Sequence, residues 1–551
     1  MMRKAIFISV LCMCYVSATA CTNVIVGKKA SRDGSVLVSY SADSYGCYGV
    51  MQHFAAATHA PGEKRIVRDW ETNAYLGEID EANVTYNVVG NMNEHQVTIA
   101  ETTFGGREEL VDTAGILDYG SLIYIALQRA KTAQEAIGVM TSLVEKYGYR
   151  SEGETFSVAD PNEAWIMEMV GKGLGNKGAI WVAVRVPDDC ICAHANQSRI
   201  HRFMHYDKNN CMYSKDVVSF ARAKGLYKGA DKDFDFANTY CPLDFSGARA
   251  CESRVWSAYN LWVDGMDKYL DYASGKDLKA EPMPLFMKPK GQLGVQDVQA
   301  IMRDQYEGTP LDMNKDVGAG TYLSPYRPRP LFWEYKGKQY FNERPIGTQQ
   351  SSFTFVAQMR TFLPDAVGGV LWFANDDAKM VAYTPVYCCA TEVPACYTKK
   401  YGNDTQFSFK SAFWVCNWVS NMVYPRFSLL YPDLEARRTQ LENRYFSQQI
   451  EIEAEAVSKW WKNKDEAVRF LTQYSTATAD SMLHEWMELA QFLIVKYNDN
   501  VVKPEKDGKF IVTPEGLGAP VKSVGYPAET RQRIIDETGT KFLVPEKKKQ
   551  E

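Results

Sequence analysis

The sequence is poor in histidine and has no pair of cysteines spaced as C-x-x-C. Only 7 of its 551 residues are histidine, and they are scattered along the chain. Structural zinc sites usually combine closely spaced cysteine pairs with histidines at short, fixed spacings. The sequence therefore gives no support for a zinc site of the usual kind.

Long apolar runs and an excess of positive charge are also missing. After residue 20, no apolar run reaches the roughly 20 residues that a membrane-spanning helix needs. The formal net charge is -5, so lysine and arginine do not form the broad basic surface typical of nucleic-acid-binding proteins. We expect a soluble mature chain with no membrane span and no nucleic-acid partner. The sequence leaves open whether it forms a homo-oligomer.

The first 20 residues have the pattern of a secretory signal peptide. Residues 1–4 carry positive charge, residues 5–16 are apolar, and Ala18 and Ala20 are small residues at the two positions that a signal peptidase reads. Cleavage after Ala20 would make Cys21 the first residue of an exported protein, periplasmic or extracellular. Ten further cysteines follow, and in an oxidising compartment they are candidates for disulfides whose pairing the sequence does not fix.

An N-terminal cysteine carries a thiol and a free α-amine on one residue. The unperturbed pKa values are roughly 7.7–8.0 for the amine and about 8.5 for the thiol. A nucleophile with a built-in base is a known route to covalent acyl transfer, so Cys21 is the candidate nucleophile. Two other interpretations stay open. Cys21 would be a lipid-attachment site, although Ala18 stands where leucine is typical, or it would be half of a disulfide.

Alternating β-forming residues predict strands on both sides of several polar residues. Residues 21–27 and 36–40 flank an Asp-Gly hairpin turn. Asp43 follows the second strand, where it would bind an ammonium group or simply form a turn. Asn93 and Asn196 lie beside other predicted strands, and each is either an oxyanion donor or a turn residue.

Helices are predicted in the middle and near the end of the chain. Residues 118–129 and 133–147 have helical apolar spacing, with a capping box at Thr132 and Glu135 and a terminating Gly148. Charged amphipathic helices are predicted at 434–461 and within 464–495. The predicted organisation is a signal peptide, a large domain with insertions, C-terminal helices and a loosely structured tail, with bounds 1–20, 21–430, 431–500 and 501–551.

Several motifs in the same order resemble the dipeptidases of peptidase family C69, which belong to the N-terminal nucleophile hydrolases. Secernins, choloylglycine hydrolase and penicillin V acylase are more distant relatives. The resemblance runs from Cys21 to about residue 387 and continues more loosely into the C-terminal helices. It is carried by Cys21-Thr22-Asn23, Asp33-Gly34-Ser35, Asp43, LQRAKTAQEA at 127–136, Tyr147-Gly148, ADPNEAWIME at 159–168, ANQSRI at 195–200 and RDQYEGTPLDM at 303–313.

The resemblance implies an α+β fold, a four-layer αββα sandwich in which two antiparallel sheets pack face to face with helices outside. It also implies hydrolysis of peptide bonds through an acyl-enzyme on Cys21, with no metal or organic cofactor. By matching positions, Asp43 contacts the nucleophile's amine or thiol, Asn93 and Asn196 help to form the oxyanion hole, and Arg254 is an active-site arginine.

One position departs from the family pattern. Relatives often carry arginine or lysine three residues before the aspartate, whereas this chain has Tyr40, which cannot supply a positive charge. We place Tyr40 and Glu101 at the substrate. Either Asp43 or Glu101 would recognise the free amino end of a dipeptide or short peptide, and the sequence does not decide between them.

The predicted function is therefore that of an exported cysteine dipeptidase. Two alternatives remain at this stage. The first is an amidase of the same fold that acts on N-acyl amides such as bile acid conjugates or penicillin side chains. The second is a lipid-anchored surface protein without enzymatic activity.

Overall fold

A computed structural model describes residues 21–545. The predicted signal peptide at residues 1–20 lies outside the described residues, as do residues 546–551. The described chain is a mixed α and β structure built around two large antiparallel sheets, followed by a helical C-terminal region. Its eleven described cysteines are all unpaired with one another.

Seven of the described strands form the first sheet, and they include the predicted hairpin that follows Cys21. The strands are β1 Thr22–Val26, β2 Val36–Asp43, β14 Ile191–His194, β16 Phe286–Met287, β19 Ser351–Met359, β20 Val370–Asn375 and β21 Thr384–Tyr387. Their order across the sheet is β16-β14-β1-β2-β19-β20-β21. β1 and β2 are therefore near the centre, with Asn23 opposite Tyr40 and β19 on the far side of β2.

Eight strands form the second sheet. They are β3 His53–Phe54, β8 Val88–Val89, β9 Met92–Asn93, β10 Thr98–Gly105, β11 Gly153–Ala159, β12 Ala164–Gly171, β13 Ala179–Arg185 and β15 Cys211–Tyr213. The order is β15-β13-β12-β11-β10-β9-β8-β3. β9 pairs with β10 only at Met92 and Thr98, so most of β10 has β11 as its single strand neighbour.

The remaining described strands form five two-stranded ribbons outside the large sheets. They are β4 Ala57–Thr58 with β7 Val84–Thr85, β5 Lys64–Arg68 with β6 Tyr75–Asp80, β17 Phe332–Tyr335 with β18 Lys338–Phe341, β22 Val501–Val502 with β25 Lys522–Ser523, and β23 Glu505–Lys506 with β24 Lys509–Phe510.

Between residues 21 and 545, twelve α-helices cover the sheets or extend the chain beyond them. They are α1 Tyr119–Leu127, α2 Ala133–Tyr147, α3 Val217–Ala223, α4 Phe236–Tyr240, α5 Ser253–Asn260, α6 Leu270–Ala273, α7 Val295–Met302, α8 Asp365–Gly368, α9 Ala412–Val423, α10 Phe427–Lys462, α11 Lys464–Tyr497 and α12 Ala528–Thr538. Short 3₁₀ turns occur at Glu108–Leu110, Asp231–Asp233, Met266–Tyr269, Val317–Ala319, Ala395–Tyr397, Tyr424–Arg426 and Asn498–Asn500, and a π turn at Gly247–Glu252.

The two faces of β2 contact different layers because successive side chains of a strand point in opposite directions. Ser39 contacts Met302 of α7, whereas the next residue, Tyr40, reaches Glu101 of the second sheet. The second sheet also has two different faces. Its Ser157 faces the first sheet, while the neighbouring Phe156 belongs to the apolar cluster that α1 and α2 cover. The catalytic candidates therefore lie where the two sheets meet.

α2 has the predicted limits, and one of the two hydrogen bonds of the predicted capping box is present. Thr132 caps α2 by accepting a hydrogen bond from the backbone N–H of Glu135 at 3.2 Å. The Glu135 carboxylate reaches back to the backbone N–H of Lys131 rather than to that of Thr132. Gly148 ends the helix with a positive φ of 84°, a conformation that a residue without a Cβ adopts readily.

α10 begins seven residues earlier than the sequence predicts. Proline lacks a backbone N–H and usually ends or kinks a helix. Here Pro432 lies inside the helix near its start, and the flanking Leu430 and Leu434 are both fully buried. We infer that packing on both sides holds the turn that the proline weakens.

The chain beyond α11 contains the two ribbons β22–β25 and β23–β24 together with α12. None of its described residues, from 501 to 545, is buried. The segment thus has more secondary structure than the sequence predicts, but its contribution to the core is limited to partly buried residues such as Val502. Within residues 21–545, no helix combines the length and the apolar composition needed to cross a bilayer.

Candidate active site

Cys21 lies directly before β1, in the space between the two sheets. Its side chain is buried. The Sγ atom is 3.7 Å from the Tyr40 hydroxyl and 3.5 Å from Glu101 Oε1, and the Tyr40 hydroxyl donates to the same Oε1 atom at 2.5 Å. Thiol, phenol and carboxylate thus form a closed triangle. This arrangement brings together three of the residues that the sequence nominates.

The surroundings of Cys21 favour a neutral thiol. Burial raises the pKa of Cys21 well above its usual value, and the nearby charges of Glu101 and Asp43 raise it further. The backbone N–H of Asp43 and the Tyr40 hydroxyl act in the opposite direction, but they do not outweigh these effects. Since only the thiolate is a good nucleophile, the chemistry at Cys21 needs a proton acceptor close to Sγ.

Asp43 is the last residue of β2, and its carboxylate is fully engaged. Ser351 donates to Oδ1 at 2.5 Å and Ser41 donates to Oδ2 at 3.1 Å. Arg344 forms a buried ion pair with Oδ2. Sequence reasoning missed Arg344, which is 301 positions away along the chain and lies in no recognisable motif. It supplies a buried positive charge beside Asp43, although Tyr40 occupies the position where relatives often have arginine or lysine.

Arg254 holds the main chain of the nucleophile. It lies in α5, immediately after the π turn at Gly247–Glu252, and its side chain is fully buried. One terminal nitrogen donates to the Cys21 carbonyl oxygen at 2.6 Å and to Thr22 Oγ1 at 2.7 Å. The other donates to Asn196 Oδ1 at 2.9 Å. Burial and the neighbouring Arg344 lower the pKa of Arg254 to about 10, so it is still positively charged at neutral pH.

Asn196 and Asn93 occupy very different surroundings. Asn196 follows β14 with a positive φ of 59° and donates to the Thr103 carbonyl oxygen at 2.7 Å, beside Arg254. The Asn93 amide instead donates to the carbonyl oxygens of Leu127 and Ala130, each at 2.7 Å, at the end of α1. The structure therefore puts Asn196 in the site, and it gives the Asn93 side chain a structural role at the α1–α2 junction.

A second buried glutamate was not found from the sequence. Glu154 lies on β11 beside Glu101 on β10, and the two side chains are 0% and 2% exposed. We call these two residues the carboxyl pair. Burial raises the pKa of both carboxyl groups, and the charge of Glu101 raises that of Glu154 further. No sequence pattern marks Glu154, because it is a polar residue within an otherwise ordinary strand.

A histidine network connects the two sheets close to Cys21. His194 lies opposite Asn23 in the first sheet, and its ring nitrogens are each 2.7 Å from a hydroxyl of the second sheet, Ser157 at Nε2 and Thr102 at Nδ1. Burial lowers the pKa of His194 to about 3. The ring is therefore neutral at physiological pH and acts as a cross-link between the sheets.

The neutral His194 predicts an acid-sensitive contribution to stability. Below pH 6.5 the unfolded chain takes up a proton on this histidine, whereas the folded chain does not until about pH 3. Stability from this group is thus present above pH 6.5 and is lost as the pH falls, by up to about 1.4 kcal/mol per pH unit. Between pH 7 and pH 4, the midpoint temperature of thermal unfolding should fall less in His194→Gln than in the wild-type protein.

His484→Gln is the matched control, because His484 is an exposed histidine on α11. It should follow the wild-type pH profile. If His194→Gln and the wild-type protein lose thermal stability in parallel over this range, His194 does not carry the acid sensitivity.

Among residues 21–545, no group of three or more histidine, cysteine, aspartate or glutamate side chains is arranged to hold a metal ion. The chemistry available at the site is that of a thiol, a phenol, carboxylates and buried arginines. Acting together, these groups are suited to attack by sulfur on a carbonyl carbon.

Comparison with known proteins shows that the chain is similar to peptidases. The model of peptidase family C69 matches residues 20–440. A probable dipeptidase of Latilactobacillus sakei is 23% identical over 497 residues, which cover 84% of this chain and 94% of that protein. A probable dipeptidase of Salmonella dublin is 27% identical over 406 residues, covering 70% and 85%. A dipeptidase of Bifidobacterium longum is 25% identical over 417 residues, covering 68% and 72%.

The family match begins one residue before Cys21 and extends through the two large sheets into α10. It includes Tyr40, Asp43, Glu101, Glu154, Arg254 and Arg344. Since the match covers well over half of the 551-residue chain, the protein belongs to peptidase family C69.

Proposed function

We propose that this protein is an exported cysteine dipeptidase that hydrolyses dipeptides or short peptides through an acyl-enzyme on Cys21. Family membership and the names of three relatives support the dipeptidase activity. The observation that carries the mechanism is the position of Cys21. A buried thiol precedes the first strand, its main chain is held by Arg254, and its Sγ lies beside Tyr40 and Glu101.

The proposed fold is the four-layer αββα sandwich of the N-terminal nucleophile hydrolases. It is supported by the contacts of β1 and β2 with β10 between the two sheets, and by the helices on the outer faces. In such a fold the residue that begins the first central strand faces the interior. Export to the periplasm or the extracellular space is part of the proposal, because removal of residues 1–20 is what would free the α-amine of Cys21.

In the proposed mechanism the α-amine of Cys21 accepts the thiol proton, and Sγ forms a bond to the scissile carbonyl carbon. The raised pKa of Cys21 is the reason that a base is needed. Asn196 and backbone N–H groups would stabilise the oxyanion. The C–N bond then breaks, and the protonated amine gives its proton to the leaving nitrogen. Water attacks the thioester, releases the acid and restores the thiol.

Two arginines have positioning roles in this proposal. Arg254 fixes the Cys21 carbonyl and therefore the direction of both the amine and the thiol. Arg344 pairs with the Asp43 carboxylate, whose negative charge raises the pKa of Cys21, while the backbone N–H of Asp43 lowers that pKa. The role of Asn93 as a side-chain oxyanion donor is not part of the proposal, because its amide is used at the end of α1.

Purified mature protein tests the proposal through its mass and its substrates. We expect the intact mass of a chain that begins at Cys21 with a free amine, without a lipid. It should hydrolyse a panel of dipeptides and leave glycine conjugates of bile acids and the penicillin V side chain unchanged. Preferential cleavage of those amides would identify an amidase of the same fold, and a diacylglyceryl adduct on Cys21 would identify a lipoprotein.

A further inference from the structure

The carboxyl pair, Glu101 and Glu154, has hydrogen-bonding capacity that the described protein does not use. Oε1 of Glu101 accepts from Tyr40 at 2.5 Å, and Oε1 of Glu154 accepts from Thr103 at 2.6 Å. The Oε2 atom of each carboxyl group is buried and accepts no hydrogen bond from any other described residue. The two carboxyl groups hydrogen-bond each other, which requires a proton on one of them. Buried polar atoms without a partner are rare in folded proteins, because losing water without replacement is costly.

Positive charge is missing from the pair as well. Two other buried glutamates are matched by arginine, Glu252 by Arg199 at 3.0 Å and Glu453 by Arg360 at 2.6 Å. No ion pair joins either member of the carboxyl pair to a basic side chain among residues 21–545. Two neighbouring buried carboxyl groups repel each other when both are ionised, and either a proton on one of them or a cation brought by a ligand relieves this repulsion.

The position of the carboxyl pair next to Cys21 limits which positively charged ligand it can bind. Glu101 Oε1 is 3.5 Å from the Cys21 Sγ. In any amino acid the α-nitrogen lies about 2.5 Å from its own carbonyl carbon, as bond lengths and the N–Cα–C angle require. A carbonyl carbon within the roughly 3–3.5 Å needed for attack by Sγ therefore brings the α-nitrogen of the same residue close to Glu101.

We propose that the carboxyl pair is the subsite for the free α-ammonium group of the substrate, whose hydrogens the Oε2 atoms accept once the proton shared by the pair has left to solvent. This inference rests on the proposed peptidase function and specifies its substrate. The residue that acylates Cys21 must carry the free amino end, so one residue at a time is removed and N-acylated peptides are rejected. Asp43 is not the subsite, because Arg344, Ser351 and Ser41 already occupy its carboxylate.

An ammonium group suits the pair better than a metal ion does. It has three N–H donors, and two carboxylate oxygens meet two of them, leaving one for a backbone or water oxygen. A metal ion would need more oxygen or nitrogen ligands than this pair offers, and no three-residue metal cluster occurs among the described residues. Burial raises the pKa of both carboxyl groups, the charge of Glu101 raises the pKa of Glu154 further, and a bound cation would oppose both effects.

The test compares one dipeptide with its N-acetyl form in the wild-type protein and in Glu154→Gln. Glu154 is chosen because it does not touch Sγ, whereas Glu101 does. Charge-assisted hydrogen bonds contribute enough to predict a fall in kcat/KM of about 10- to 100-fold for the free dipeptide, mainly through KM. For the N-acetyl form, kcat/KM should change by less than about threefold. The ratio of kcat/KM between the free and the N-acetyl dipeptide should therefore be smaller in Glu154→Gln than in the wild-type protein.

Glu152→Gln is the matched control, since Glu152 is an exposed glutamate two positions from Glu154. It should keep the wild-type discrimination. The rate of Cys21 alkylation by iodoacetamide reports the nucleophile separately and should change little in Glu154→Gln. If kcat/KM falls equally for both substrates in Glu154→Gln and the rate of Cys21 alkylation changes, the proposal is wrong. The carboxyl pair would then bind the α-amine of Cys21 itself.

A second measurement needs no variant and no turnover. An amino acid amide with a free amine should protect Cys21 of the wild-type protein from iodoacetamide at least about tenfold better than its N-acetyl form. Equal protection by both would overturn the subsite, as would loss of activity in EDTA that calcium or magnesium restores. A wild-type protein that hydrolyses no peptide but shows selective protection would overturn the proposed function while supporting the ammonium subsite.

Discussion

Cys21→Ala is expected to lower dipeptide hydrolysis by at least about 10⁴-fold, to the background rate. The methyl group of alanine cannot form the acyl-enzyme, and loss of a covalent nucleophile typically costs this much or more. Cys21→Ser should retain only a small fraction of activity, because a hydroxyl is a much weaker nucleophile at neutral pH than a thiolate. Steady-state kinetics on purified protein measure both effects.

The control for Cys21 must be a buried cysteine outside the site. Cys192 lies on β14 in the same sheet and is fully buried. Cys192→Ala removes the same atom from the core but should keep dipeptide turnover within a few-fold of wild type. Thermal unfolding should show both alanine variants folded. Wild-type turnover by Cys21→Ala would contradict the assignment of the nucleophile.

Local sequence signals were sufficient for most of the secondary structure. Strand alternation located β1, and the Asp33-Gly34 turn located the hairpin. The capping residue Thr132 and the terminating Gly148 set the limits of α2. These signals work because capping and turn chemistry act over a few residues. β2 extends three residues beyond the prediction, to Asp43, because it pairs with β19, which is more than 300 positions away.

Several residues that lie around the nucleophile were nominated from the sequence, either by their place at the predicted chain start or by their place in the family pattern, as Cys21, Asp43 and Arg254 were. Cys21 was found because export processing would make it the first residue. Arg344 and Glu154 were missed, since each acts through a partner that is distant in sequence or in an adjacent strand. Asn93 was nominated by its position in the family pattern, yet its side chain bonds to the α1–α2 junction. Side-chain direction depends on tertiary packing, which a single sequence does not report.

Tyr40 stands where relatives often have arginine or lysine, and two residues of this site share the contacts that such a side chain could make. The sequence indicates only that this residue cannot provide the charge of an arginine. In the structure its hydroxyl donates to Glu101 and contacts the thiol, while Arg344 supplies the positive charge beside Asp43. The cation near the aspartate and the group near the thiol are thus two separate residues.

The second large effect is expected from the peptide bond that precedes Cys21. In a chain whose residues 1–20 are replaced by a tag ending in a factor Xa recognition sequence, we expect dipeptide hydrolysis at least about 10³-fold slower before cutting than after it. An amide nitrogen shares its lone pair with the carbonyl group and cannot accept the thiol proton. General-base catalysis of this kind typically contributes 10²- to 10⁴-fold.

The matched control is a tag that leaves one serine before Cys21 after cutting. This chain gains a free amine at nearly the same place, but the amine is not on the nucleophile, so the chain should stay as slow as the uncut form. Equal turnover before and after cutting would remove the amine from the mechanism. The proton acceptor would then be sought in the Tyr40–Glu101 pair, because those are the described side-chain groups hydrogen-bonded to Sγ, at 3.7 and 3.5 Å.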